Sequence, residues 1–475
     1  MAVVLLGDLV FSYLQYNCST IDGDMPFIVL GQDGYDKVLN DPLGLSTFQG
    51  ETYPGTNRYA SHKLMEVYFK TVPFFFQNFM SPIDSVYLSI TLAKFVAHIL
   101  LLLVLGYYVS VWFTWAKWKS YLTSSVIISS FLIGGNMYID HLAIIDPAVT
   151  YIMFYALPMT ALLAFYIPFY KYYITGAFPT SPLFAALWVV FALVMVFFGA
   201  LTCAMLLVTL PMFAAGIMWR AYSNLPQDSK SLVGAVKKLN VTMIVVMAFS
   251  FLFALYSFYI GTKNSEHKED IALKERFLFL FKGIKEVFFK NQWGVDYLLG
   301  ATVISVVLLA VLYGREQKRY LYLVAGLAAF SALYLFLLPL GGYRNYRPLI
   351  LRRDTTLPVL LVLMFVFTTS GMLLLKHYKG RFKVYPLVFI AAVCWHFEST
   401  DMEMPNGNAK HGEKELMKLA AASKEDCVLL DRWVPVASWW YNTKCEDSEP
   451  VANFLYFYHI TPRKIYVHYK EVGQP

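Results

Sequence analysis

Charge is what this chain has least of. Asp, Glu, Lys and Arg make up 15% of its 475 residues, where a soluble domain carries roughly 25%. With 58% hydrophobic residues, so few charges cannot dress a water-exposed surface. The basic excess is small, 39 Lys and Arg against 32 Asp and Glu, and no stretch reads as a nucleic-acid-binding module. No nucleic acid is expected as a partner. Cysteine is also sparse. None of the five stands in CxxC or Cys/His spacing, which removes a zinc site. Cys427 and Cys445 lie close together in the polar tail, as a disulfide of an oxidising compartment or as two reduced thiols. The N-terminal segment MAVVLLGDLVFSYLQYN lacks a basic leader and a small-residue cleavage site. It therefore reads as a first membrane helix rather than a signal peptide.

What the chain has instead is apolar length. Runs of about 20 residues, enough to cross a hydrocarbon core of about 30 Å, recur from residue 86 to 397. The expected spans are 86–114, 121–141, 149–170, 182–200, 203–219, 240–261, 295–313, 320–340, 356–375 and 383–397. The run from 182 to 219 is continuous, but Lys171 precedes it and Arg220, Lys230, Lys237 and Lys238 follow it. Both flanks are basic, so the run must cross twice, and a break near Gly199–Cys203 is predicted. With the first segment this gives about eleven crossings. The positive-inside rule places Lys117/Lys119, the 220–238 loop, Arg315/Lys318/Arg319 and Lys376–Lys383 in the cytoplasm. The N-terminus is then cytoplasmic, and the 18–85, 142–148 and 262–293 loops and the tail are extracytoplasmic. The expected architecture is an all-α polytopic protein of the plasma (inner) membrane, surrounded by membrane lipids. It divides into a transmembrane part, 1–397, and a small α+β extracytoplasmic portion, 398–475, too short to be stable alone.

One basic cluster breaks the rule. Arg344, Arg347, Arg352 and Arg353 crowd GGYRNYRPLILRRD on the extracytoplasmic side, where orientation gives them no purpose. Guanidinium forks bind phosphate oxygens bidentately, so these arginines are candidates for holding an anionic substrate. The bland alternative is anchoring to lipid headgroups. Carboxylates lie on the same side. Asp22 and Asp24 in IDGDMPF are suited to deprotonate an acceptor hydroxyl or to hold a divalent cation, or simply to form a turn. Asp140, His141 and Asp146 follow in YIDHLAIIDPAV, where Asp146 can equally cap the next helix. His62 in RYASHKLMEVYF faces the same side. Residues 262–293 read as an amphipathic interfacial helix, or as a lid over a cavity.

This order of parts resembles the GT-C class of integral-membrane glycosyltransferases, of the kind found in bacterial envelope-polysaccharide loci. The resemblance rests on the acidic Asp22-Gly23-Asp24 opening a long first loop, on SPIDSVYLSITLAKFVAHILLLLVLGYYVS at the second helix entry, and on Asp146 in IDPAVTYIMFY. It implies transfer of a sugar from a polyprenyl-phosphate donor to an acceptor on the extracytoplasmic face. Asp22 is then the leading candidate base, with Asp24 and Asp146 as supporting acids or ligands of a divalent cation. Arg344, Arg347, Arg352 and Arg353 become the phosphate clamp, and His62, Asp140 and His141 further substrate contacts. The family's acid pair is often adjacent, whereas glycine separates the two here. A flippase or exporter of lipid-linked saccharides, or an envelope polysaccharide polymerase or ligase, would use the same features. A carrier would need charge near the bilayer midplane, where only Lys94 and His98 are candidates.

Overall fold

The computed structural model describes residues 1–113, 117–133, 141–142, 144–226, 231–266, 270–290, 294–344, 346–377, 384–401, 407–431 and 434–469. Helix α1 (Ala2–Asn17) leads into a loop region holding α2 (Met25–Leu30), α3 (Tyr35–Asn40) and the amphipathic α4 (Tyr59–Gln77). Next come α5 (Pro82–Ser110), α6 (Lys117–Ser129) and α7 (Val149–Tyr151), which runs through a π turn into α8 (Leu157–Thr175). They are followed by α9 (Pro182–Val196), α10 (Ala200–Ser223), the short α11 (Leu232–Lys237) and α12 (Val241–Gly261). The second half contains α13 (Leu273–Phe289), α14 (Val295–Tyr313), α15 (Lys318–Leu337), α16 (Arg353–His377) and α17 (Val384–Asp401). The tail adds α18 (Asn408–Ala422), β1 (Cys427–Leu430), α19 (Glu449–Phe457) and β2 (Tyr466–Tyr469), and the two strands pair in parallel.

Among the described residues, seven helices are long and apolar enough to cross a membrane, α7 and α8 counting as one. The chain is thus a mostly helical protein of membrane-spanning build with a small strand-containing tail. Helix α9 and residues Val384–Trp395 of α17 are apolar but shorter, α6 has 13 residues, and α1 carries Asp8. Length therefore supports seven of the expected eleven crossings. Helix starts follow local chemistry. Ser81 Oγ accepts from the Asp84 amide at 3.1 Å with Pro82 at the first helical position, so α5 begins before residue 86. The long apolar run breaks where glycine allows it. Gly199 sits at φ +130°, a conformation that side chains with a Cβ rarely adopt, and α10 starts directly after it.

Helix α16 is the axis of the bundle: 94% of its apolar window is buried, against 11% for the Lys318–Gly341 segment at the periphery. Several polar side chains within the apolar interior are paired, which offsets the cost of burying them. Ser129 Oγ donates to Asp8, His98 Nε2 meets Ser129 Oγ at 3.1 Å, and Tyr16 OH meets His98 Nδ1 at 2.7 Å. This chain ties α1, α5 and α6 together.

The connections sort to two ends. At one end Tyr173 OH donates to the Arg319 carbonyl at 2.7 Å, Tyr313 OH donates to the His377 carbonyl at 2.8 Å, and Lys376 lies 5.9 Å from the Phe113 ring. At the other end meet the first loop, residues 141–148, residues 262–266, the arginine loop and the tail. The sequence places these two sets of loops on opposite sides, and the helices keep them apart.

The tail is fastened to this loop-rich end. Glu413 of α18 is fully buried and accepts from the Ile21 amide at 3.0 Å, Tyr87 OH at 2.6 Å and the Ala437 amide at 2.9 Å. Burial raises its carboxyl to about 7, against these three hydrogen bonds. A Cβ on Gly23 would stand 2.2 Å from the Trp439 amide nitrogen, so only glycine fits between the two aspartates. Cys427 and Cys445 form a disulfide, which decides between the two readings of that pair. In Glu413→Gln an amide NH2 faces one of the three donors, and a buried N–H or O–H loses its acceptor at a cost of about 1–3 kcal/mol. Hydrogen exchange is expected to speed up selectively across residues 408–469; unchanged protection there would show that the tail does not hang on this carboxylate.

Candidate functional site

The first loop is locked to the start of the α7–α8 helix by Asp22. Its Oδ1 accepts from the Asp24 amide at 3.2 Å, the Met25 amide at 3.1 Å and Thr150 Oγ1 at 2.7 Å, and its Oδ2 accepts from the Thr150 amide at 2.8 Å. The residue is 3% exposed, and burial raises its carboxyl against the Thr150 bonds. Nearby, Asp146 Oδ1 accepts from the Ala148 amide at 2.6 Å, while its other oxygen pairs with Arg353. Both partners are buried, and the Arg353 guanidinium also lies 4.1 Å from the Tyr151 ring centroid. Burial raises the Asp146 carboxyl, and Arg353 opposes it. Lys94 donates to the Pro147 carbonyl, so the one cation of α5 in this region braces the same turn.

Three of the four loop arginines have protein carboxylates as partners. Arg353 holds Asp146, Arg347 holds Asp354 at the head of α16, and Arg344 reaches Glu266 at 2.9 Å. Glu266 also meets Arg58 at 3.5 Å. Burial works to raise the Glu266 carboxyl, but Arg58 and Arg344 override it and hold it down at about 2. Residues 262–266 are pinned to the first loop, with Ser265 N donating to the Tyr53 carbonyl at 3.1 Å and Gly55 N to Asn264 Oδ1 at 3.1 Å. Helix α13 then packs beneath the arginine loop so closely that a Cβ on Gly283 would lie 2.5 Å from the Leu349 carbonyl. Residues 262–266 and α13 thus back the arginine loop.

These charges cap a cavity of about 300 Å³. Its deep wall is apolar, built by residues such as Leu201 and Leu207 of α10 and Leu337 and Leu338 at the end of α15. Its rim carries Arg58, Arg344, Arg347 and Asp354. The arrangement is amphipathic: a greasy slot ending under guanidinium groups.

Arg352 and Asp24 are different from the rest. The Arg352 guanidinium lies 5.1 Å from the Tyr151 ring and 5.3 Å from the Tyr346 ring, and among the described residues it has no carboxylate partner. Asp24 Oδ1 accepts from Trp439 Nε1 at 2.8 Å, whereas no described residue donates to its Oδ2. Burial, the Asp22 carboxylate and Glu266 raise the Asp24 carboxyl to about 6, against the Trp439 bond and Arg352. An acid and a cation therefore share one electrostatic neighbourhood with Glu266, whose partners Arg58 and Arg344 line the cavity.

The remaining expected residues fall around this centre. His62 is buried, takes up the Arg58 carbonyl at 2.9 Å through Nδ1, and packs 4.8 Å from the Phe154 ring. Burial pulls its pKa to about 4, so it is neutral. His141 Nδ1 meets Thr356 Oγ1 at 3.2 Å, and burial likewise draws it down to about 4. Asp140 lies outside the described residues. Glu266, Arg58, Thr150 and Trp439 are additions that no local pattern announces; only the Tyr-Arg pairs of the arginine loop hinted at Tyr346. Asp22 and Asp24 do not belong to a cluster of three metal-ligating side chains among the described residues. The one such grouping is Cys427, Cys445 and His468, whose sulfurs are bonded to each other. Asp22 spends both oxygens on protein donors, so among the described residues the two aspartates do not form a divalent-ion site. No protein-family model matches this chain, and no curated protein matches it.

The Asp146–Arg353 pair has a measurable consequence. Breaking a buried ion pair from one side strands the other charge, typically at about 3–5 kcal/mol. Arg353→Ala should lower the thermal unfolding midpoint of the solubilised protein markedly, while Asp146→Asn combined with Arg353→Met should recover much of the loss. Equal midpoints for Arg353→Ala and the unaltered protein would show that the pair does not brace the fold.

Proposed function

We propose that this protein is a membrane glycosyltransferase that moves a sugar from a polyprenyl-phosphate donor to an acceptor hydroxyl. The observation that carries this reading is the cavity whose apolar wall ends under Arg58, Arg344 and Arg347. An anionic headgroup on a long apolar chain matches both halves of that surface. The loop-rich end is the extracytoplasmic one in this reading, with the N-terminus cytoplasmic and about eleven crossings between. The Cys427–Cys445 disulfide supports that side, because such bonds persist in oxidising compartments. The protein would sit in the plasma membrane.

In the proposed reaction, the acceptor oxygen attacks the anomeric carbon while the bond from that carbon to the phosphate oxygen breaks. The acceptor's proton passes to Asp24, and the electron pair leaves with the polyprenyl phosphate. Asp24 is assigned as the base because no described residue donates to one of its oxygens and its pKa of about 6 suits a base working near neutral pH. Asp22 spends both oxygens on four hydrogen bonds, so it serves as the positioning residue that fixes Asp24. Arg352, stacked on two tyrosine rings and in no ion pair among the described residues, is assigned to the departing phosphate, where a preorganised cation stabilises developing charge. Arg344 and Arg347 line the entry, and Arg353 braces Asp146. No step is routed through a metal.

Asp24→Asn is expected to slow transfer from a polyprenyl-phosphate hexose by about 10²–10⁴ while donor binding persists. Arg352→Ala should weaken donor binding and transfer together. The base must be ionised and its folded pKa is raised, so the rate should climb with pH through about 6 and fall as pH drops below it. Full turnover by Asp24→Asn, or no transfer from any polyprenyl-phosphate sugar by the intact protein, would sink the mechanism.

A further inference from the structure

A second cavity, of about 540 Å³, lies where the first loop meets the tail, away from the arginine rim. Its size falls within the range of about 300–1,000 Å³ common to small-molecule sites. Gln32 follows α2, Phe74 comes from α4, and Asn453, Tyr456, Phe457 and His459 come from α19 and the turn after it. Among the described residues, the lining contains no carboxylate, lysine or arginine. Phe74 meets Phe457 edge-on at 5.3 Å and His459 at 5.6 Å, so the rings are held in place by one another. Gln77 Nε2 donates to the Tyr458 carbonyl at 2.9 Å, which fixes α4 against α19 behind this wall.

The two amides are only half used. Asn453 Nδ2 donates to Gln32 Oε1 at 3.3 Å, while Gln32 Nε2 and Asn453 Oδ1 are buried without a partner. Turning both amides over does not help. Either orientation leaves one donor and one acceptor unmet, because each side chain brings one of each kind. Unsatisfied buried polar atoms are rare in native proteins and call for a cause. A ligand hydroxyl both donates and accepts, so neighbouring hydroxyls complete such a pair once the terminal amides rotate toward the cavity, a soft torsion. Aromatic rings beside the amides offer faces for the C–H surfaces between those hydroxyls.

We infer that this cavity binds a neutral saccharide, recognised by the Gln32–Asn453 amide pair and the Phe74, Tyr456 and Phe457 rings. The site is separate from the arginine-capped cavity. The inference does not depend on the transferase reading, since a saccharide carrier would use the same site.

The test is binding of three neutral trisaccharides, maltotriose, cellotriose and chitotriose, to the full-length protein in phosphatidylcholine nanodiscs, followed by isothermal titration calorimetry. At least one should bind, and Gln32→Ala and Asn453→Ala should each weaken it at least tenfold, while Asp24→Asn leaves it unchanged. Tyr456 is 47% exposed, so Tyr456→Ala removes a wall ring without opening the core and serves where an amide variant fails to fold. A loss of at least tenfold in that variant supports the site. Absence of binding by all three sugars, or affinity unchanged in the folded variants, would overturn the inference. Either result leaves the effect of Asp24→Asn on transfer to be judged by itself.

Discussion

Everything at the loop-rich end hangs on carboxylates taken out of water. Asp22 gathers the first loop around itself and clamps it to Thr150, Asp146 pairs with Arg353 across to the central helix, and Glu413 draws in the tail. A buried carboxylate is costly unless its lone pairs are met by donors or a cation. That requirement fixes geometry more tightly than apolar packing does, because each donor must arrive at a particular distance and angle. Three segments far apart in sequence are thereby brought to one place.

Against this committed background, the uncommitted groups stand out. Of the loop arginines, three are matched by Asp146, Asp354 and Glu266, and the fourth, Arg352, lies against two tyrosine rings with no ion pair among the described residues. Of the two aspartates flanking Gly23, one is saturated and the other keeps an oxygen available. Chemistry needs groups that can change partners. The apolar slot beneath the guanidinium rim adds the other half of an amphipathic ligand's requirements. Rigidity around Asp22 thus holds Asp24 in place, and the proposed reaction uses both properties.

Much of the outline was legible before any coordinates. Apolar length located most of the helices to within a few residues, because a hydrocarbon core dictates how many residues must be apolar; the 121–141 span is the exception, since α6 ends at Ser129. Basic flanks placed a break in the 182–219 run, and Gly199 supplies it. Acids and arginines expected on the same side do meet at one end of the helices. The assignment of roles was not legible. Asp22 and Asp24 look alike in IDGDMPF, and the difference between them comes from Thr150, which lies 128 residues away, and from Trp439, which lies 415 residues away. Nor does TKNSEHKED announce that Glu266 will hold two arginines.

The sequence by itself determined the class of solvent this chain is made for, its helical character and the sorting of its loops into two ends. Those properties follow from composition and from the positions of charge along the chain, which act locally. Only the tertiary structure decided which charges neutralise one another and which remain available. That outcome depends on distances of a few ångströms between residues hundreds of positions apart, and on how far each pair is shielded from water. Electrostatic energies vary steeply with both, so the same four arginines could have been a clamp, a set of anchors or a brace until the fold placed carboxylates beside three of them.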